Sequence, residues 1–228
     1  MVEHLVVAID GPAGSGKSTV ARRVADALGC TLLDTGAIYR SLALVARERD
    51  VSWGDAPALA ALAAALQIRF ARDGETNRVL VDGRDRTAEI RTPEISLGAS
   101  RVSAQPEVRQ ALLGLQRSVS LHGPLVAEGR DMGTVVFPDA RVKVFLVASA
   151  EVRARRRHVE LAAAGREVSL EQVLDEQNAR DAADAGRAVA PLRAAQDART
   201  IDTSTMTIDQ VVDEVLRMVE QERGSGGG

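Results

Sequence analysis

The stretch Gly11-Pro-Ala-Gly-Ser-Gly-Lys-Ser18 decides the fold of this chain. It has the spacing G-x-x-x-x-G-K-[ST] of a P-loop, in which backbone N–H groups surround phosphate oxygens at the start of a helix. It directly follows the apolar run Leu5 to Ile9, which predicts a buried strand, and directly precedes Ser18 to Leu28, whose apolar residues have helical spacing. The pattern therefore predicts a phosphate-binding loop between a strand and a helix.

The residues of this loop have different predicted roles. Lys17 is expected to bridge the β and γ phosphates of ATP, and the Ser18 hydroxyl to bind Mg²⁺. A glycine turn that only caps a helix is the alternative interpretation of the pattern. The predicted ATP-binding residues are Gly11, Pro12, Ala13, Gly14, Ser15, Gly16, Lys17, Ser18 and Thr19, with Ser18 as the predicted metal ligand.

Strands and helices alternate along much of the remaining chain. Thr31 to Leu33 predicts a second strand ending at Asp34, and Ile38 to Arg49 a second helix. Further strands are predicted at Leu125 to Ala127, Val142 to Val147 and Thr200 to Asp202, and a closing helix at Thr207 to Gln221. This alternation favours an α/β protein with a central parallel sheet, a three-layer fold of the P-loop NTPase type.

Two regions interrupt the alternation. Between Val51 and Thr92, an alanine-rich helix (Ala56 to Leu66) precedes two alternating segments around Asp73-Gly74, which predicts a helix plus a hairpin. Ala150 to Arg187 is predicted to be helical, rich in charge and mobile. We therefore expect a core (1–42, 101–150 and 188–223), an inserted lobe (43–100), a charged helical segment (151–187) and a flexible glycine-rich tail (224–228).

The bulk properties exclude several classes of protein. With 228 residues, 45% apolar and 27% charged, the chain has the composition of an ordinary globular protein. Its net charge of −3 disfavours a general nucleic-acid binder, and the single Cys30 excludes an internal disulfide. The N-terminal apolar run is too short to span a bilayer and lacks a basic leader. We expect a cytoplasmic protein without a membrane or nucleic-acid partner.

A P-loop alone does not distinguish kinases from other nucleotide triphosphatases. A GTPase would be expected to contain an Asn-Lys-x-Asp guanine signature after a strand, and the sequence contains none. A mechanical ATPase would be expected to have a longer chain and an apolar run that ends in an acidic pair, which is also missing. The residues that bind the phosphoryl acceptor must therefore be found elsewhere.

Two further segments follow predicted strands. Asp34-Thr35-Gly-Ala-Ile-Tyr-Arg40 is predicted as a turn after the second strand, and Glu128-Gly-Arg-Asp131 as a turn after the strand that begins at Leu125. Open α/β sheets bind ligands at the carboxyl edge of their strands, where both segments are expected. Arg40 and Arg130 would offer two guanidinium groups there, and such forks suit a dianionic monophosphate.

The order of these blocks resembles that of the bacterial cytidylate kinases. The resemblance rests on the P-loop, on Asp34 to Arg40, on Glu128-Gly-Arg-Asp-Met-Gly-Thr-Val-Val-Phe-Pro-Asp-Ala140, and on Arg180-Asp-x-x-Asp-x-x-Arg187 followed by Ala-Pro-Leu192. It spans almost the whole chain. The segment before Ser100 also resembles the extra domain with which that family enlarges its monophosphate-binding side. The resemblance therefore implies a single P-loop kinase chain in which 43–100 is an inserted monophosphate-binding lobe and 151–187 a helical lid.

The resemblance implies ATP-dependent phosphorylation of CMP and dCMP by a monomer that binds only small-molecule nucleotides. It assigns the acceptor phosphate, the cytosine edge, the acceptor sugar and the catalytic charges to four sets of side chains. These sets are Thr35, Arg40 and Arg130 for the phosphate, Ser100, Arg109 and Asp131 for cytosine, Arg180, Asp184 and Arg187 for the sugar, and Lys17, Arg130, Arg40 and Arg157 for catalysis. Arg157 belongs to the stretch Arg153 to Arg157, whose arginines are implied to form a lid over the ATP phosphates.

Two positions depart from the family pattern. Thr35 stands where many relatives have serine, and Ala185-Gly186 precedes Arg187 where a serine is common. Neither change removes a required group. A P-loop kinase acting on UMP, AMP or shikimate is the neighbouring alternative, and a P-loop regulatory switch without kinase activity is the alternative from another class.

Overall fold

The computed structural model describes residues 4–73, 76–163 and 165–225. Its strands are β1 (Val6–Asp10), β2 (Thr31–Asp34), β3 (Ile68–Asp73), β4 (Thr76–Val81), β5 (Arg84–Asp85), β6 (Leu125–Gly129), β7 (Val142–Val147) and β8 (Arg199–Asp202). Its α-helices are α1 (Lys17–Leu28), α2 (Thr35–Glu48), α3 (Ala56–Ala65), α4 (Pro93–Ser103), α5 (Pro106–Ser118), α6 (Ala150–Ala163), α7 (Leu170–Ala185) and α8 (Ile208–Ser225). A π-helix covers Met132–Val136, and short 3-10 helices cover Glu89–Arg91 and Val119–His122.

The chain divides into two compact units, which we call the P-loop unit (residues 1–31 and 123–228) and the hairpin unit (residues 32–122). This division follows packing. The predicted division into a core, an inserted monophosphate-binding lobe and a lid follows function, and it stays a prediction. None of the helices in the described part of the chain is both long and apolar enough to span a bilayer.

The P-loop unit is built around a sheet with the strand order β2-β6-β1-β7-β8. Of β2, only its first residue, Thr31, belongs to this unit. β1 pairs in parallel with β6 and with β7, and β7 pairs in parallel with β8. Val7, Ala8 and Ile9 have no exposed surface, as expected for a central strand covered on both faces. The predicted α/β fold with a central parallel sheet is confirmed.

Helices cover this sheet through apolar stripes. On α1 the buried residues include Val20 and Val24, and on α8 they include Val215 and Val219, with helical spacing in both cases. α8 continues past its predicted end at Gln221 and reaches Ser225. Residues 226–228 of the predicted flexible tail lie outside the described residues.

In the hairpin unit, α2 begins earlier than the sequence predicted. The helix was predicted to begin at Ile38, after a turn that starts at Asp34, but the chain is helical from Thr35 onward. The reason is Asp34, whose carboxylate Oδ1 accepts the Ala37 N–H at 2.8 Å and caps the helix. A helix can therefore start directly at the end of β2, and the predicted turn was wrong.

A small antiparallel sheet forms the other part of the hairpin unit. β3 and β4 form an antiparallel pair, as the predicted hairpin requires, and Phe70 lies opposite Val79. The predicted turn residue Gly74 lies outside the described residues. β5 adds a third strand beside β4. The sequence analysis missed β5 because two charged, exposed residues carry no apolar alternation.

A close contact between a glycine and an indole ring joins α4 to the loop before α3. The Trp53 Nε1–H donates to the Ala43 carbonyl at 3.0 Å, which fixes the ring. A Cβ at Gly98 would lie 2.5 Å from Trp53 Cζ2, well inside van der Waals contact. The ring therefore requires glycine at this helical position.

We predict that Gly98→Ala lowers the free energy of unfolding by about 1–2 kcal/mol. The overpacking of a side chain against a fixed ring costs about 1–3 kcal/mol and outweighs the helix propensity of alanine. Urea denaturation followed by circular dichroism measures the change.

Gly114→Ala is the matched control, since Gly114 is an exposed glycine of α5 whose added Cβ would meet nothing within 4 Å. This substitution should raise the free energy of unfolding by up to about 1 kcal/mol. Equal effects of the two substitutions would contradict the steric role of Trp53.

Candidate nucleotide site

The backbone of the P-loop turns through conformations that favour glycine. Gly11, Gly14 and Gly16 have φ angles of 147°, 76° and 90°. At Gly11 a Cβ would also lie 2.1 Å from the Leu146 carbonyl oxygen of β7, a distance that no side chain tolerates. The loop lies between β1 and α1, the position that the sequence predicted.

Lys17 is buried at the first residue of α1. Its Nζ donates to the Pro12 carbonyl at 2.7 Å, and the Ser15 hydroxyl donates to the same oxygen at 3.0 Å. Burial, together with the charge of Arg130, lowers the pKa of the Lys17 ammonium to about 7, although Glu128 opposes the shift. An anion beside this ammonium would favour its charged form.

The Ser18 hydroxyl lies beside a buried carboxylate. It donates to Glu128 Oε2 at 2.9 Å, and Glu128 itself is 4% exposed in β6. A hydroxyl and a carboxylate are oxygen donors of the kind that Mg²⁺ prefers, and Mg²⁺ takes its other ligands from phosphates and water. Within residues 4–73, 76–163 and 165–225, no group of three or more His, Cys, Asp or Glu side chains could hold a metal alone.

Asp10 connects the end of β1 to the segment that follows β6. Its two carboxylate oxygens accept the N–H groups of Met132 and Gly133, each at 2.8 Å. Burial raises the pKa of Asp10 to about 6, although both hydrogen bonds lower it. Asp10 thereby fixes the backbone directly after Asp131, and the sequence analysis gave it no role. An acidic residue at the end of a buried strand was the available signal.

Three of the predicted acceptor residues meet in one partly buried cluster. Arg130 Nε lies 2.9 Å from Asp184 Oδ2, and Arg187 pairs with the other oxygen of the same carboxylate. Although burial raises the pKa of Asp184, the guanidinium groups of Arg130 and Arg187 outweigh it and hold the pKa below its usual range. The charge of Arg180 acts in the same direction. The predicted roles of Arg130 at the acceptor phosphate and of Asp184 and Arg187 at the sugar stay predictions.

The arginines of α6 differ in their surroundings. Arg157 pairs with Glu160 at 3.0 Å on the surface, with 41% of its side chain exposed. Arg153 and Arg156 instead donate to carbonyl groups of the P-loop itself. The catalytic role of Arg157 stays a prediction.

In the hairpin unit, the start of α2 holds two predicted phosphate ligands. Thr35 is buried as the first residue of the helix. Arg40 Nη2 lies 2.9 Å from Asp34 Oδ2, so one carboxylate both caps the helix and orients the guanidinium. A Cβ at Gly36 would lie 3.1 Å from Arg40 Nη1, so the missing side chain gives Arg40 its space.

The predicted cytosine ligands Ser100 and Arg109 lie on α4 and α5 of the hairpin unit. Arg109 is 8% exposed, donates from Nη1 to the Ser103 carbonyl at 3.1 Å, and places its guanidinium 5.5 Å from the centroid of the Tyr39 ring. Gln116 in turn approaches the Tyr39 hydroxyl at 3.5 Å. Tyr39 therefore packs against Arg109 and is itself contacted by Gln116, and the sequence analysis gave neither Tyr39 nor Gln116 a role.

Each unit thus brings together its own set of predicted site residues. The P-loop unit contains the loop, the Arg130–Asp184–Arg187 cluster and Asp131, which is 3% exposed. The hairpin unit contains Thr35 and Arg40 at one helix terminus, and Ser100 and Arg109 on a helix pair.

Comparison with known proteins identifies the family. The family model described as "Cytidylate kinase" matches residues 7–221. The chain is 53% identical over 221 residues to a cytidylate kinase of Syntrophotalea carbinolica, covering 97% of this chain and 94% of that protein. It is 51% identical to a cytidylate kinase of Chromobacterium violaceum (97% and 98% covered) and 50% identical to one of Aeromonas salmonicida (96% and 95% covered). The chain therefore belongs to the cytidylate kinase family.

Proposed function

We propose that this protein transfers the γ-phosphoryl group of ATP to CMP and dCMP, forming CDP, dCDP and ADP. The observation that carries the proposal is the family match over residues 7–221, which includes the P-loop and all predicted acceptor residues. The positive φ angles of Gly11, Gly14 and Gly16 in the loop and the partly buried Arg130–Asp184–Arg187 cluster support it.

The P-loop binds the donor in this proposal. Backbone N–H groups between Gly11 and Thr19 surround the β and γ phosphates, and the Lys17 ammonium pairs with them. Ser18 and Glu128 would hold Mg²⁺, which supplies positive charge to the phosphates when it is bound. Burial of Lys17 strengthens its interaction with an anion, because little water competes for it.

The acceptor is bound by charge and by hydrogen-bond complementarity. Arg40 and Arg130, with the Thr35 hydroxyl, hold the monophosphate. Cytosine presents an amino donor beside acceptors at N3 and O2, which suits the carboxylate of Asp131 together with Ser100 and Arg109. The sugar contacts Arg180, Asp184 and Arg187. The low pKa of Asp184 supports this role, since an ionised carboxylate accepts hydrogen bonds from sugar hydroxyls.

Transfer requires positioning more than proton chemistry. An oxygen of the CMP phosphate attacks the γ-phosphorus in line, the bond from that phosphorus to the β–γ bridging oxygen breaks, and ADP leaves. The attacking oxygen is already ionised, so no general base is needed. Lys17, Arg40, Arg130 and Arg157 stabilise the charge that spreads over the transferred group. Residues 151–187 exclude water as a lid, and the protein acts as a cytoplasmic monomer on small nucleotides alone.

The proposed function predicts ADP release with CMP and dCMP that exceeds release with UMP or AMP. A coupled assay with each acceptor in turn measures this order. Lys17→Ala should lower kcat/KM with every acceptor by at least about a hundredfold, because a transition-state charge contact is lost. Equal rates with AMP and CMP, or no diphosphate product from any acceptor, would refute the proposal.

The role of Asp131 predicts a loss that is specific for the acceptor. Asp131→Ala should lower kcat/KM for CMP by about tenfold to a hundredfold, since a base contact is worth about 1–3 kcal/mol, and should change basal ATP hydrolysis much less. Asp139→Ala, at an exposed carboxylate of the same unit, should leave both rates unchanged. Equal damage to CMP phosphorylation and ATP hydrolysis by Asp131→Ala would contradict base recognition.

The lowered pKa of Lys17 predicts that ATP binding takes up a proton. With a pKa of about 7, most Lys17 side chains in the free protein are neutral at about pH 8, and the bound polyphosphate favours the ammonium form. Uptake should approach one proton at about pH 8 and decline below the pKa, where Lys17 is already charged. ATP affinity should accordingly fall as the pH rises above 7, by up to about tenfold per unit.

Calorimetric titration in two buffers of different ionisation enthalpy measures this proton uptake. Lys17→Arg is the control, because a guanidinium stays charged over this pH range and has no proton to take up. Proton uptake that persists in Lys17→Arg would assign it to another group.

A further inference from the structure

Three consecutive carbonyl groups of the P-loop are hydrogen-bonded by side chains from elsewhere in the P-loop unit. Arg153 Nη1 donates to the Ala13 carbonyl at 3.0 Å, and Arg156 Nη1 lies 3.4 Å from the Gly14 carbonyl. The Thr203 hydroxyl donates to the Ser15 carbonyl at 3.2 Å. α6 and the segment after β8 thus contact successive peptide units of the loop.

The geometry of the peptide bond gives these contacts a consequence. A planar trans peptide places its C=O and the N–H of the next residue on opposite sides. A carbonyl fixed toward α6 or Thr203 therefore directs the following N–H the other way. The N–H groups so directed belong to Gly14, Ser15 and Gly16, which are among those that surround phosphates in a P-loop.

Thr203 is the central member of this arrangement. It is 3% exposed, and its single O–H is used on the Ser15 carbonyl. The same hydroxyl oxygen accepts from Arg156 Nη1 at 3.0 Å, and the Thr203 carbonyl accepts from Arg156 Nη2 at 2.6 Å. The Thr203 N–H donates to the Val147 carbonyl at 2.8 Å, which ties this residue to the end of β7.

Arg153 is fixed in a comparable way. It pairs with Asp181 of α7 at 2.6 Å and donates from Nε to the Ala148 carbonyl at 3.1 Å. A Cβ at Gly14 would lie 3.0 Å from Arg153 Cβ, so the loop and α6 are in close contact. The donors are therefore held by the sheet and by α7, independently of the loop that they contact.

We propose that Thr203 and Arg156 are positioning residues for the donor nucleotide: they fix the Gly14 and Ser15 carbonyls and so direct the next N–H groups toward the ATP phosphates. Neither residue needs to touch ATP in this proposal. The inference rests on the proposed function only in taking the P-loop as the ATP site. Its effect is confined to ATP, since neither residue contacts the Arg130–Asp184–Arg187 cluster in the described hydrogen bonds.

The test compares two substitutions of Thr203. Thr203→Val keeps the shape of the side chain but removes the O–H, and Thr203→Ser keeps the O–H. We expect Thr203→Val to raise the KM for ATP by about fivefold to tenfold, the effect of one lost hydrogen bond, with the KM for CMP changed less than about twofold. Thr203→Ser should leave the KM for ATP close to that of the wild-type protein. A purely structural defect would reduce the amount of active enzyme, and hence the apparent kcat, without a selective change in one KM.

Thr205→Val is the matched control, since Thr205 is an exposed threonine of the same segment and should leave both KM values unchanged. Arg156→Lys should reproduce the effect of Thr203→Val, because an ammonium cannot span Gly14 and both acceptors of Thr203. An unchanged KM for ATP in Thr203→Val, or an equal rise of both KM values, would overturn the inference.

Direct ADP binding separates this inference from the proposed function. If the wild-type protein did not phosphorylate CMP, the proposed function would fail, but calorimetric titration with ADP would still compare the variants. A Kd for ADP about fivefold to tenfold higher in Thr203→Val than in Thr203→Ser supports the inference. Equal Kd values for ADP in these two variants overturn it.

Discussion

The packing of the P-loop against β7 is the constraint on which the rest of the structure depends. Because β1 pairs in parallel with β7, Gly11 leaves the sheet against the Leu146 carbonyl, and the chain can turn there only without a side chain. β6 lies on the other side of β1 and ends at Gly129. The strand order therefore places Glu128 and Arg130 beside the loop, so the sheet positions these two charged side chains next to Lys17.

Two of the buried aspartates of the P-loop unit, Asp10 and Asp184, show how partners decide a charge state. Asp10 and Asp184 are 4% and 1% exposed, so burial disfavours the ionised form of both. Asp10 has two peptide N–H donors and a nearby Asp131, and its pKa rises to about 6. Asp184 has two guanidinium groups, and its pKa falls. The guanidinium groups outweigh desolvation at Asp184, whereas two peptide N–H groups and the charge of Lys17 do not outweigh it at Asp10. The acidic side chain of the predicted sugar site therefore stays ionised at neutral pH.

The sequence predicted those parts of the molecule that have a local signal. The P-loop, the buried strands and the helix-plus-hairpin pattern follow from spacing and apolar periodicity, and β7 has the bounds that were predicted. Asp10, Glu128 and Thr203 escaped prediction because their partners are distant in sequence. Thr203, for example, is 188 residues from Ser15, whose carbonyl it contacts. Such roles become visible only once parallel pairing has aligned the ends of β1, β6 and β7.

The preference for arginine over lysine gains a structural explanation at some positions and not at others. Only Lys17 and Lys143 are lysines among 29 basic residues. Arg153 contacts two carbonyls and a carboxylate, and Arg156 reaches three acceptors, tasks that need a planar fork with several donors. Arg157 instead makes an exposed ion pair, which an ammonium could form equally well and which contributes little stability. At Lys17 an arginine would not be equivalent, because a buried lysine can lose its proton near neutral pH and regain it when an anion binds, whereas a guanidinium cannot.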